Sequence, residues 1–230
     1  GLVVDGKARF ACAPAVLDAT KADIEGALLH PRSAQIVHFS GHGGVGNELD
    51  GFTGVARRGY LSVLQDHQTK ASARLSGESF ARTLARAEVQ LAVLSACRTA
   101  DAGGPDPWTG VAGALVAEGI PAVVAMQQKV LDTQAVDFAV AFYGALGAGL
   151  TLDEAMSLGR CAMVESGDFE EDKPYPTEWA VPVLYSRIGN GTLWPERSSD
   201  ASKTAVDLRR FLSVTAEAID KGASFVGVKV

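Results

Sequence analysis

Cysteine is scarce in this chain, and its three copies, Cys12, Cys97 and Cys161, stand far apart. A disulfide framework or a zinc knuckle needs closely spaced pairs, so neither organises this fold. No metal site and no cofactor are expected. No apolar run approaches the roughly 20 residues that span a bilayer, and no signal-peptide pattern is visible. Basic residues come only in pairs such as Arg57-Arg58 and Arg209-Arg210, and the net charge is −6. Without a basic stripe, direct nucleic-acid binding and an anionic membrane surface are both disfavoured. Widely separated, unpaired cysteines point to a reducing cytoplasm. The chain opens on Gly1, which suggests a piece of a longer protein.

What is present is an ordinary globular composition, with 47% hydrophobic and 21% charged residues in 230. Short apolar runs alternate with helical patterns. Ala8 to Ala13, Gln35 to Phe39, Val89 to Leu94, Pro121 to Met126 and Ala180 to Tyr185 read as strands, and Tyr60 to Gln65 as an extra one. Helices are expected over Asp18–His30, Gly77–Ala87 with Ser76 as cap, and Trp108–Glu118 stopped by Gly119. Asp132 is expected to cap a helix carrying Ala135, Phe138, Phe142 and Leu146 on one face. Thr151 and Glu154 form a capping box for another, to about Val164. Residues 44–58, 101–107 and 166–178 read as loops.

Strands alternating with helices predict an α/β three-layer sandwich, with a mainly parallel sheet and helices on both faces. A composition shift after Trp194-Pro195 places a boundary near 197. Residues 1–197 then form one domain. Residues 198–230 form a linker and an amphipathic helix, 203–221, that packs on this domain or leads into a neighbour.

Two polar residues fall just past the ends of apolar strands, His42 after 35–39 and Cys97 after 89–94. Ligands of open parallel sheets bind beyond the carboxyl ends of strands. If those strands are neighbours, a thiol and an imidazole share one rim, the geometry a cysteine nucleophile needs. The Gly43 and Cys97 amides are candidate oxyanion donors, and Gly41, Gly43 and Gly44 leave room for a peptide backbone. His38 lies inside its strand and reads as a core or supporting residue. His30 and His67 read as surface positions, and Cys12 and Cys161 as structural. The string Gly41-His42-Gly43-Gly44-Val45-Gly46 matches a dinucleotide fingerprint. That fingerprint must open a helix, and Asn47 to Gly51 has no helical period, so dinucleotide binding is set aside.

His38-Phe39-Ser40-Gly41-His42-Gly43 together with Leu94-Ser95-Ala96-Cys97 resembles the signature pair of CHAT-type peptidases. These are bacterial relatives of caspases, separase, metacaspases and clostripain. Ser95-Ala96-Cys97-Arg98-Thr99 is also similar to the caspase pattern Q-A-C-R-G. The gap from histidine to cysteine fits as well, since 97 − 42 = 55 against about 50 in caspases. The resemblance covers roughly residues 20 to 187. It implies a caspase-like fold, a His42–Cys97 dyad and cleavage of a protein substrate. It further implies an effector in a bacterial defence or signalling system, acting beside a regulatory domain or partner protein. The loops at 44–58 and 99–107 flank the expected site, so low basal activity is expected until a partner binds. Ser95 stands where metacaspases have aspartate, and Lys129 where separases have an acidic residue. Ser40, Ser95, Lys129 and Asp132 are the candidate substrate-binding residues. The second reading keeps the fold and drops the chemistry, leaving a catalytically silent caspase-fold interaction module.

Overall fold

The computed structural model describes residues 3–4, 7–8, 11–12, 15–28, 35–50, 54–96, 110–165, 178–193 and 224–229. Four two-residue strands come first: β1 (Val3–Val4), β2 (Lys7–Ala8), β3 (Ala11–Cys12) and β4 (Val16–Leu17). Helix α1 (Lys21–Leu28) leads to β5 (Ile36–Gly41). The long strands β6 (Gly43–Asp50) and β7 (Gly54–Leu64) follow, then β8 (Ser72–Ser76) and α2 (Gly77–Arg86). Next come β9 (Leu91–Ala96), α3 (Val111–Ala117), β10 (Ala122–Met126), α4 (Asp132–Gly147) and α5 (Leu152–Glu165). A single 3-10 turn (Glu178–Ala180) precedes β11 (Pro182–Ser186), and β12 (Ser224–Lys229) closes the described chain.

Local chemistry sets several boundaries. Helix α1 starts later than Asp18 because Thr20 and Asp23 cap it reciprocally. The Asp23 N–H donates to Thr20 Oγ1 (3.2 Å), and the Thr20 N–H donates to Asp23 Oδ2 (2.8 Å). Asp18 itself has a φ of 51°, outside the helical region. Ser76 caps α2 as expected, accepting from the Ser79 N–H at 3.2 Å. Thr151 and Glu154 form the expected box, with the Thr151 N–H donating to Glu154 Oε2 at 2.8 Å and the Glu154 N–H to Thr151 Oγ1 at 3.3 Å. Gly119 ends α3 at a φ of 100°. For α4 the expectation shifts by one residue: Leu131 is the cap, without a side-chain bond, and Asp132 is the first helical residue.

The main sheet has seven strands in the order β11-β10-β9-β5-β12-β3, with β4 also paired to β12. Pairings β5–β9 and β9–β10 are parallel. Pairings β10–β11, β5–β12, β12–β3 and β12–β4 are antiparallel. The sheet is therefore mixed, not mainly parallel. Its centre follows the crossover pattern read from the sequence, and antiparallel strands flank it on both sides. Strand alternation divides the core into two. Val37, Phe39, Ala92, Leu94, Val123 and Ala125 pack with α1, α2 and α3. Ile36, Leu91, Val93, Val124 and Met126 pack with α4 and α5. That is a three-layer α/β arrangement.

The expected loop at 44–58 is instead strand over 44–50 and 54–58: β6 and β7 pair antiparallel, and β8 extends the small sheet. The glycines that suggested a loop serve close packing. A Cβ on Gly44 would lie 3.1 Å from the Tyr60 hydroxyl, and one on Gly46 would lie 2.9 Å from an Arg74 guanidinium nitrogen. The Arg74 guanidinium in turn sits 4.4 Å from the Tyr60 ring centre. Strand β12 was not among the expected elements. The expected helix 203–221 and the loops 101–107 and 166–177 lie outside the described residues.

Candidate functional site

The carboxyl ends of β5 and β9 finish side by side. In their parallel register Ser40 faces Ser95 and Gly41 faces Ala96. The juxtaposition of the two strands is the one read from the sequence. Cys97, one residue past Ala96, lies outside the described residues.

The imidazole that this rim seats in a hydrogen-bonded network is that of His38. It is 2% exposed. Its Nδ1 lies 2.9 Å from the Tyr143 hydroxyl on α4, and its Nε2 lies 3.0 Å from Ser95 Oγ on β9. One ring nitrogen donates and the other accepts, and a hydroxyl can serve in either role. The network ties β5, β9 and α4 together within the α4 layer. Burial pushes the His38 imidazole down to about 4, so it is neutral near pH 7. Of the other expected residues, Ser40 is buried on β5 and Ser95 half-buried on β9. His42 and Lys129 are exposed. The His42 carbonyl accepts the Ser62 N–H at 2.8 Å. Gly43 opens β6 opposite Leu61. The Asp132 side chain lies outside what the structure describes.

This arrangement corrects the expectation of a cysteine endopeptidase. Both nitrogens of the networked histidine are taken by hydroxyls, and among the described residues no cysteine lies near it. Among the described residues no thiol is paired with an imidazole, and the one described free thiol, Cys161, is exposed on α5. Thiolate activation needs an imidazole that can take and hold a proton. A dry, neutral imidazole between two hydroxyls does structural work instead. The expectations of a protease and of a proteolytic effector fall with it.

Sequence reasoning placed His38 in the core and missed its partner. Tyr143 sits on the buried side of α4, 2% exposed. Its signal was weak, because the expected apolar face of α4 ran through Phe138 and Phe142. Ser95, a candidate substrate-binding residue, hydrogen-bonds His38.

The His38 network makes stability depend on pH. An unfolded histidine titrates near 6.5, and the folded one at about 4. Between these values the unfolded chain holds a proton that the folded chain does not. Stability is therefore complete above about 6.5 and falls as the pH drops toward 4, by ~3 kcal/mol in all. Urea midpoints at pH 4.5 and pH 7 are expected to differ more in the native chain than in His38→Gln. Equal differences in the two chains would remove His38 as the cause.

Among the described residues, no group of three or more histidine, cysteine, aspartate or glutamate side chains is placed to hold a metal ion. No described helix is long and apolar enough to cross a membrane. Residues 6–187 match the family model of the CHAT domain. No curated protein matches the chain.

Proposed function

Because the chain belongs to the CHAT family, within the caspase-like peptidase superfamily, we propose that it is a catalytically silent caspase-fold interaction module. The observation that carries this reading is the His38–Tyr143–Ser95 network, in which hydroxyls hold the buried imidazole that faces α4. The sandwich is read as the caspase-like one, with α1 to α3 on one face of the sheet and α4 and α5 on the other.

The rim beyond β5 and β9 is the proposed contact surface. His42, Gly43, Cys97, Lys129 and Asp132 would hold a protein segment there without making or breaking a bond, with Ser40 and Ser95 supporting them from within the strands. A protein partner suits the net charge of −6 better than a nucleic acid does. That partner is a regulatory protein or a neighbouring domain, met in the cytoplasm. Residues 1–197 supply most of the module, and 198–223 are read as the linker that leads to β12 in its main sheet.

Treatment of the full chain with a thiol-reactive peptide electrophile tests this. A silent module is expected to be modified slowly, at Cys97 no faster than at Cys161 or Cys12, and to release no product from peptide libraries. Fast modification confined to Cys97, with cleavage that Cys97→Ala abolishes, would overturn the reading.

A further inference from the structure

The small sheet runs in the order β6-β7-β8, so β6 and β8 are its two edges. β6 joins β7 through eight consecutive pairs, from Gly43 opposite Leu61 to Asp50 opposite Gly54, without a bulge. One step before Gly43, the His42 carbonyl accepts the Ser62 N–H. Bonded pairs recur at every second residue of an antiparallel ladder, so Gly44 and Gly46 also turn their backbone groups toward β7. Gly43, Val45 and Asn47 turn theirs outward, where no described strand pairs with them. Natural edges are blunted by charge, proline or a bulge, and residues 43–47 hold none of the three. The opposite edge is blunted. β8 is five residues long, carries the exposed Arg74 at its centre and turns at Ser76 into α2. An extended peptide can add to β6 through main-chain hydrogen bonds.

The side chains around this edge define what such a peptide carries. Paired residues project to the same face of a sheet, so residues added opposite Gly44 and Gly46 would project over the face that holds Tyr60 and Arg74. β6 has no side chain of its own at either position. Arg74 reaches from β8 across Tyr60, with its guanidinium 4.4 Å from the ring centre. One of its nitrogens stands 2.9 Å from the place of a Cβ on Gly46, so the charge lies over the edge strand. Arg58, opposite Gly46, is taken by Glu78 at 2.6 Å. Arg74 makes no ion pair among the described residues. A carboxylate on the residue opposite Gly46 complements it, in the forked geometry that guanidinium favours. On the other face the half-buried Val45 offers an apolar neighbour to the residue in between.

We infer that the outer edge of β6 is a docking site for an extended acidic segment of a partner protein, which adds as a fourth strand and sets a carboxylate against Arg74. This gives the proposed contact surface a binding mode and a partner chemistry, and it rests on that reading in taking the segment after His42 for an interface.

Fluorescence anisotropy of the full chain with a labelled peptide of alternating valine and glutamate is the test. Strict alternation puts every carboxylate on one face in any register. The glutamate peptide is expected to bind at least about tenfold tighter than its valine–lysine counterpart, and Arg74→Glu to reverse that preference. Asn47→Pro removes an outward N–H and no bond to β7, so it is expected to fold and to weaken binding about tenfold. A native chain that binds neither peptide, or both alike, overturns the inference, as does binding unchanged by Arg74→Glu or by a folded Asn47→Pro. Should Asn47→Pro not fold, a glutamate peptide N-methylated at alternate residues is read in its place, and binding as tight as that of the unmethylated peptide overturns it. Fast modification confined to Cys97 would end the silent-module reading and leave these outcomes as they stand, so the two fail separately.

Discussion

Phe142→Ala is expected to lower the unfolding free energy by about 3–5 kcal/mol. Phe142 has no exposed surface. Its ring stacks on Phe138 at 5.5 Å and 13° and meets Tyr143 edge-on at 5.4 Å and 69°. Truncation removes the hydrophobic burial and leaves a cavity between α4 and the sheet. It also frees Tyr143, whose hydroxyl holds His38, so a second effect follows. The pH dependence between about 4 and 6.5 should flatten as water reaches the imidazole. Urea unfolding reads the first effect as a lower midpoint at unchanged slope. A loss below about 1 kcal/mol would mean that the α4 face is not packed as described.

The second large effect is expected from Gly59→Ala. A Cβ at Gly59 would stand 2.3 Å from the Val111 nitrogen and 2.7 Å from the Gly110 carbonyl carbon. Both are backbone atoms at the start of α3, so no side chain can rotate aside. Gly77 closes the same contact, its would-be Cβ lying 3.1 Å from Val111 Cα and 3.4 Å from the Gly59 oxygen. Strand β7 and helix α3 must separate, at about 3 kcal/mol, the upper end of the usual overpacking cost. Gly26→Ala is the control. It lies in α1 with nothing within 4 Å of the added carbon, and alanine is the better helix former there, so a gain of about 0.5–1 kcal/mol is expected. Thermal or urea midpoints that shift in the same direction for both substitutions would refute the close-approach account.

The same glycines show where sequence reading stopped. A glycine-rich stretch reads as loop because glycine costs backbone entropy in a strand. In β6 and β7 that cost is offset by contacts with Tyr60, Arg74 and the start of α3, which only the folded chain supplies. Caps at Ser76 and Thr151 were legible because both partners lie within four residues. The buried runs of β5, β9 and β10 were legible because each is a short stretch dominated by apolar residues. Tyr143 was not legible as the partner of His38, since 105 residues separate them. The peptidase reading failed at the same kind of boundary. The motif pair pointed to the ends of β5 and β9, yet which imidazole enters the polar network depended on strand alternation and on the placement of α4.

Local pattern alone determined the CHAT resemblance, the alternation of strands and helices, and the helix caps at Ser76 and Thr151. Each rests on a short motif, on periodicity or on short-range hydrogen bonding, which a linear chain already contains. Tertiary structure decided the mixed direction of the sheet, the entry of residues 224–229 beside β5, and the neutral state of His38. Those outcomes arise from burial and from partners distant in sequence, and neither exists until the layers close.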